Sequence, residues 1–347
     1  MQKVCVFCGK KPVEKSKEHV LPQWLIEMTG DSKRILKLPL IYSKAKKAEV
    51  EMSFDSFHFP ACSHCNSLFS QLEGSAKRVV ESMLQRRPLT AAGINVLLEW
   101  LDKVRIGLWL GFLYLEENPF DIAPTFHISG RLSLKDRMVA IYHTEDHRPG
   151  LQFLGVNLPA FHHGPCCFTL VVHNFYLFNV SDDFLFSRRL GLPYPADAVL
   201  VESGLMGCNM VSGRERAMLP LLGTPLREGG VEIYQPIVKG QLQTEIRHLY
   251  DTDYVRRLIP DSDTGVGKPM IAADGVLVEY PSVPSSAWIP SGSSSRTELE
   301  WACGKQTLEI QCAILERRRF SDKRVKRLFR QCINFNRRYL ATWYQRV

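Results

Sequence analysis

Two Cys-x-x-Cys pairs, Cys5/Cys8 and Cys62/Cys65, constrain this chain more than any other feature of its sequence. Each pair puts two thiolates on one tight knuckle, and two knuckles supply the four soft ligands of a tetrahedral Zn²⁺. Four thiolates leave no open coordination position, so such a site is structural and would clamp the N-terminus to residues 62–65. Ten cysteines in 347 residues are too sparse for a disulfide scaffold, and the paired spacing reads as metal binding in a reducing compartment. The first residues contain no apolar run of the kind a secretory signal needs. The most apolar stretch, Ile106 to Leu115, is half the roughly 20 residues of a membrane span and follows Glu99, Asp102, Lys103 and Arg105. A cytoplasmic protein without membrane contact is expected.

A chain of this length accommodates two or three domains, and its texture changes along its length in a way that predicts an α+β fold. Residues 1–87 are dense in Cys, His and Lys. Pro22–Met28 is expected as a short helix with Pro in its first turn, closed by Gly30. Runs around Ile35–Tyr42 and Val50–Phe57 read as strands joined by a basic turn containing Lys44, Lys46 and Lys47. A helix is expected from about Asn66 to Gln85. Residues 88–120 read as a helical spacer, capped by Thr90 and ended by Asn118-Pro119. Within it Ile94, Leu97, Leu98, Leu101, Leu108, Phe112 and Leu115 recur at helical spacing, and Glu99, Asp102 and Lys103 fall off that stripe. Residues 121–280 read as a β-rich domain, with strands at Met138–Tyr142, Phe168–Val172, Tyr176–Val180 and Ala198–Val201. A Pro/Ser-rich linker at 281–295 and a basic helical segment at 296–347 follow.

Between the knuckles stands Glu18-His19-Val20-Leu21-Pro22, and Asn66 comes directly after the second. This order of Cys-x-x-Cys, acidic residue and His, apolar residue and Pro, then Cys-x-x-Cys-Asn resembles the HNH (ββα-metal, His-Me finger) endonuclease family. The likeness covers about residues 1–80 and lies closest in layout to zinc-stapled enzymes of the phage Holliday-junction resolvase type. It implies a zinc-stapled ββα-metal module that hydrolyses DNA, with RNA an open alternative. His19 would be the general base, a role that suits an imidazole whose ordinary pKa is about 6.5. Glu18 and Asn66 would be oxygen ligands to a catalytic Mg²⁺ or Mn²⁺. Two departures stand out. Glu replaces the more usual Asp before the His, and no Asn occurs between 20 and 65. His58, four residues before Cys62, is the best stand-in for the missing Asn, with Asp55 next; the alternative is an exposed strand histidine. Glu73, two helical turns beyond Asn66, is either a further ligand or orienting group, or a helix-surface carboxylate. By analogy the family suggests a role in phage defence. The competing reading is a non-catalytic zinc-stapled nucleic-acid-binding protein.

Elsewhere the residues suggest less chemistry. His162-His163 with Cys166-Cys167 reads as core and loop, Asp182-Asp183 and Arg188-Arg189 as solvated turn charges, and Cys303, Cys312 and Cys332 as buried thiols. Residues 121–280 leave room for a regulatory ligand or a protein partner. The net charge of +8 is unevenly spread. Residues 1–87 hold 15 basic and 9 acidic side chains, residues 88–315 hold 18 and 25, and residues 316–347 hold 11 and 2. Two basic ends therefore flank an acidic middle. In the last helix Val325, Leu328, Phe329, Cys332, Tyr339, Leu340 and Trp343 form an apolar stripe. Lys323, Lys326, Arg327, Arg330 and Arg337 fall outside it, so Lys323, Arg327 and Arg330, with the lysines of the 44–47 turn, are candidates to meet a phosphate backbone.

Overall fold

The computed structural model describes residues 4–43, 48–54, 58–115, 127–200, 206–239, 246–261, 263–273, 275–281 and 295–344. After the first knuckle come strand β1 (Lys15–His19) and helix α1 (Gln23–Met28), which Pro22 precedes in extended conformation, just outside the first turn. Strands β2 (Ile35–Ser43) and β3 (Ala48–Ser53) form a local hairpin. The chain then returns as β4 (His58–Cys62) to pair antiparallel with β1, Lys15 facing Cys62 and His19 facing His58. Helix α2 (Ser63–Leu84) starts at the next residue. The outcome is a ββα unit with α1 and the β2–β3 hairpin inserted between its two strands.

Two expectations need correction here. The strand run predicted for Val50–Phe57 ends at Ser53, because a new strand with a different partner begins at His58. The helix expected from Asn66 begins at Ser63, with Cys62 as its extended N-cap residue, so Asn66 lies in the first turn rather than at its start.

Helix α3 (Ala91–Leu115) follows, and Thr90 caps it as expected, its hydroxyl accepting the Gly93 N–H at 3.1 Å. The middle of the chain adds β5 (Asp136–His143), β6 (Leu151–Leu154), the short helix α4 (Pro159–His163), β7 (Cys167–Val172), β8 (Phe175–Asp182) and α5 (Ser187–Leu190). Next come a hairpin of β9 (Tyr194–Leu200) and β10 (Met206–Val211), then β11 (Val231–Gln235), α6 (Asp253–Leu258), β12 (Met270–Ala273) and β13 (Val276–Glu279). Helices α7 (Arg296–Arg317) and α8 (Lys323–Tyr344) end the described chain, and a Ser295/Glu298 capping box opens α7. The expected linker lies outside the described residues except at its two ends, 281 and 295.

Seven strands form one antiparallel sheet in the order β13-β12-β11-β5-β8-β7-β6. It is covered on both faces, so every residue of β5 is buried and its centre, Met138–Tyr142, is a continuous apolar run instead of an alternating one. Val139, Ile141, Leu177 and Ile233 pack with Leu98, Leu101, Leu108 and Phe112 of α3. The alternate residues Met138, Ala140, Tyr176 and Phe178 pack with Leu299, Cys303, Ile310 and Ile314 of α7.

Helix α3 is therefore no free-standing spacer. One hydrophobic cluster runs from Cys5 and Phe7 through α2 and α3 to Ile271, across the boundary expected at 87/88. Asp102 and Lys103, expected off the apolar stripe, are buried, and so is Arg105. Asp102 pairs with Arg105 at 2.7 Å and with Arg137 of β5 at 3.2 Å. Arg105 in turn reaches Asn179, and Arg137 reaches Gln235. This polar row crosses the α3 face of three strands, and its partners supply the hydrogen bonds that make such burial tolerable.

Candidate metal centre and catalytic site

The first knuckle is a tight turn. The Gly9 N–H donates to the Cys5 carbonyl and the Cys5 N–H to Lys10, with Gly9 at φ +68°, a conformation that suits glycine. It docks on the hairpin through Val6 N–H to the Pro60 carbonyl. Cys62 ends β4 and Cys65 lies in the first turn of α2, so the strand-to-helix junction aims both thiols at the knuckle. The four Sγ atoms all lie within 4.8 Å of one another. Tetrahedral zinc at about 2.3 Å from each sulfur spaces its ligands by about 3.8 Å, close to this arrangement. The cluster can bind a metal ion and is compatible with structural zinc.

The thiols are unequal. Burial pushes Cys5 up, but N–H donors from Cys62, Cys8 and Phe7 outweigh it and leave this thiol at about 7. Cys65 is pushed up to about 12 by burial and by the neighbouring sulfurs. A bound dication would offset that mutual repulsion with its own charge and so draw all four to thiolates.

Helix α2 packs on the face of the hairpin that carries Ser16 and Glu18. Asn66 Nδ2 donates to Ser16 Oγ and to the Lys17 carbonyl, each at 3.2 Å. Two turns along, Glu73 comes beside Glu18, and between them sits Lys103 of α3. The Lys103 ammonium donates to Glu18 Oε1 at 2.6 Å and also to Glu73. Glu73 accepts a further bond from Trp24 Nε1 at 2.9 Å. Burial would lower the Lys103 pKa, but the Glu73 and Glu18 charges outweigh it and raise it, so the side chain stays an ammonium. Glu18 is raised, chiefly by burial. The Lys103 ammonium is thus shared between the two carboxyl groups of this buried triad.

Glu73 is no helix-surface carboxylate: its oxygens are bonded to Lys103 and Trp24. Glu18 and Asn66, expected as joint ligands of one divalent ion, are directed to different partners. Among the described residues the only group of three or more His, Cys, Asp or Glu side chains gathered closely enough for a metal is the four-cysteine cluster. The donor set as arranged does not fit a catalytic Mg²⁺ or Mn²⁺: an internal cation holds Glu18. Lys103 and Trp24 are the members of this site that motif reading passed over. The signal available was a lysine inside a helix whose surrounding turns are apolar.

His19 points away from the triad, because neighbouring strand residues alternate faces. Directly opposite, His58 shares its face, with ring centroids 6.2 Å apart. Both are half-buried, and exposed Lys15 and Lys17 continue the same face. His64 is exposed on α2, while Lys44, Lys46, Lys47 and Asp55 lie outside the described residues. Lys323, Lys326, Arg327 and Arg330 are exposed on α8, whose Phe329, Cys332 and Ile333 are buried against α7 and α4.

Other predicted residues fall as follows. His162 and His163, expected as core and loop, sit on helix α4, and His162 stacks on Phe112 with its pKa driven down to about 4 by burial. Cys303, Cys312 and Cys332 are buried. Asp182 is no solvated turn charge. It is bonded to Arg318 at 2.7 Å, and that charge outweighs the effect of burial to hold its carboxyl below the usual range. No described helix is long and apolar enough to cross a membrane.

Compared with family models, curated proteins and solved structures, the chain matches none. Of the features behind the HNH resemblance, the structure bears out the four-cysteine cluster close enough to bind a metal.

Proposed function

We propose that this protein is a zinc-stapled endonuclease of the HNH type that hydrolyses DNA phosphodiester bonds, with His19 as the general base. The observation that carries this reading is the β1–β4 register. It sets His19 and His58 side by side at the end of a hairpin whose other end is clamped by the four cysteines to the helix bearing Asn66. An imidazole on an accessible, lysine-bearing face can take a proton from water while the lysines attract the phosphate. The zinc is structural and keeps hairpin and helix in register. No step is assigned to a divalent ion, since Lys103 holds Glu18.

That same ion triad favours a second reading, a zinc-stapled nucleic-acid-binding protein without hydrolysis. A supercoiled-plasmid assay with Mg²⁺ or Mn²⁺ separates the two. The endonuclease reading expects nicking that His19→Ala abolishes while its thermal transition stays unchanged. Wild-type protein that binds the plasmid but never nicks it would leave the binding reading standing.

A further inference from the structure

On the far side of the sheet from α3, a pocket of about 600 Å³ opens between the β8–α5 turn, β9 and the corner where α7 turns towards α8. It is lined by six cationic side chains and three carboxylates. Two of the cations are committed. Arg318 holds Asp182 at 2.7 Å and Lys135 holds Asp183 at 2.6 Å. The other four, Arg188, Arg189, Arg317 and Arg319, have no carboxylate partner among the described residues. Arg189 donates to the Pro220 carbonyl at 2.9 Å, and Arg188 lies 5.5 Å from the centre of the Tyr194 ring. Arg317 and Arg319 are exposed side chains at the end of α7, converging on the pocket from the other wall. At its rim Asp197 is exposed and bonded only weakly, to Asn209 at 3.3 and 3.4 Å.

We propose that this pocket binds a nucleoside polyphosphate. Gathering like charges around a concave space is unfavourable unless an anion offsets them, and guanidinium forks match phosphate oxygens bidentately. The volume suits a single ligand of nucleotide size. The Tyr194 ring, already flanked by Arg188, offers a flat face for a base, and the Asp197 carboxylate can accept from ribose or base hydrogens. A duplex suits the site less well. Its backbone needs an extended surface such as the exposed basic row of α8, not a recess sized for one small ligand. The ligand site is independent of the chemistry assigned to His19.

The test is equilibrium binding by calorimetry with the full chain, using the four common ribonucleoside triphosphates, inorganic tripolyphosphate and a short DNA duplex. At least one triphosphate should bind at one per chain. Arg317→Gln with Arg319→Gln should weaken it roughly tenfold or more, since each loses charge-assisted bonds. Lys77→Gln with Arg78→Gln, exposed on α2 and far from the pocket lining, should leave it unchanged. Because the substituted arginines are exposed, thermal melts of the variants should match wild type. Three outcomes would overturn the proposal: no saturable binding of any triphosphate at millimolar concentration, binding indifferent to Arg317 and Arg319, or binding of duplex alone through these arginines. Tripolyphosphate bound as tightly as the best triphosphate would overturn the nucleoside part.

Discussion

Lys103 shows how one side chain can decide what a familiar motif is able to do. Its ammonium is almost wholly buried, and its two carboxylate partners come from elements far apart in sequence, Glu18 on β1 and Glu73 on α2. Removing one partner of a buried ion pair costs more than the pair is worth, because the remaining charge has neither water nor counter-ion. Lys103→Met should therefore destabilise the fold by about 3–5 kcal/mol at neutral pH, read as a lower urea midpoint with unchanged slope. Adding Glu73→Gln should recover part of that loss, since it removes one of the two stranded charges. A Lys103→Met protein as stable as wild type would mean that water reaches the carboxylates in the native state. The resemblance to HNH enzymes implies Glu18 as a metal ligand, and helical spacing from Asn66 adds Glu73. Their actual partner lies 85 residues from Glu18 along the chain, and only the packing of α3 brings it there.

At the scale of elements, the ββα unit depends on a pairing that is not local. Strand β1 finds β4 only after α1 and the β2–β3 hairpin have been folded in between, so a metal held by the four cysteines would also close that long loop. Cys62→Ser should lose about one equivalent of zinc by elemental analysis. It should also accelerate amide exchange in β1 and β4 while the amides of α7, on the other side of the sheet, stay protected. Unchanged protection in β1 would show that the hairpin holds without the metal.

The same unit marks the limit of what pattern could show. The knuckles, the Thr90 cap and the apolar periodicity of α3 were legible because each is a local signal with one physical meaning. Lys-Ser-Lys-Glu-His and His-Phe-Pro-Ala-Cys are not legible as strands, since the first lacks apolar alternation and the second carries Pro60. Helix α8 carries the element's other prediction. If its outer face lies on a phosphate backbone, neutralising Lys323, Arg327 and Arg330 should reduce the slope of log K against log salt by about 3. An unchanged slope in filter binding would remove α8 from the nucleic-acid surface.

Across the whole molecule, the sheet is the member that both cores share, and β5 lies at its middle. Asp136, the first residue of that strand, is fully buried on the α7 side. Its carboxylate accepts N–H bonds from Ile237 at 2.9 Å and Phe186 at 3.3 Å, and the Ser187 hydroxyl at 3.2 Å, tying α5 and the end of β11 to the sheet's centre. Burial nevertheless dominates these bonds and pushes the carboxyl up to about 7. The folded protein thus holds this proton more tightly than the unfolded chain, where the group titrates near 3.8. Its contribution to stability is complete below about pH 4 and is lost as pH rises through 7, because the unfolded state then gives up its proton first. Three pKa units set an upper bound of about 4 kcal/mol for this loss. Other carboxylates titrate in the same range, so the informative quantity is the difference between wild type and Asp136→Asn, whose amide can still accept from Ile237 but cannot ionise. That difference should move in favour of the Asn variant between pH 4.5 and 8, measured by urea denaturation at closely spaced pH values. A difference independent of pH would mean that Asp136 is ionised in the native state throughout, with α5 and β11 supplying enough N–H donors to outweigh its burial.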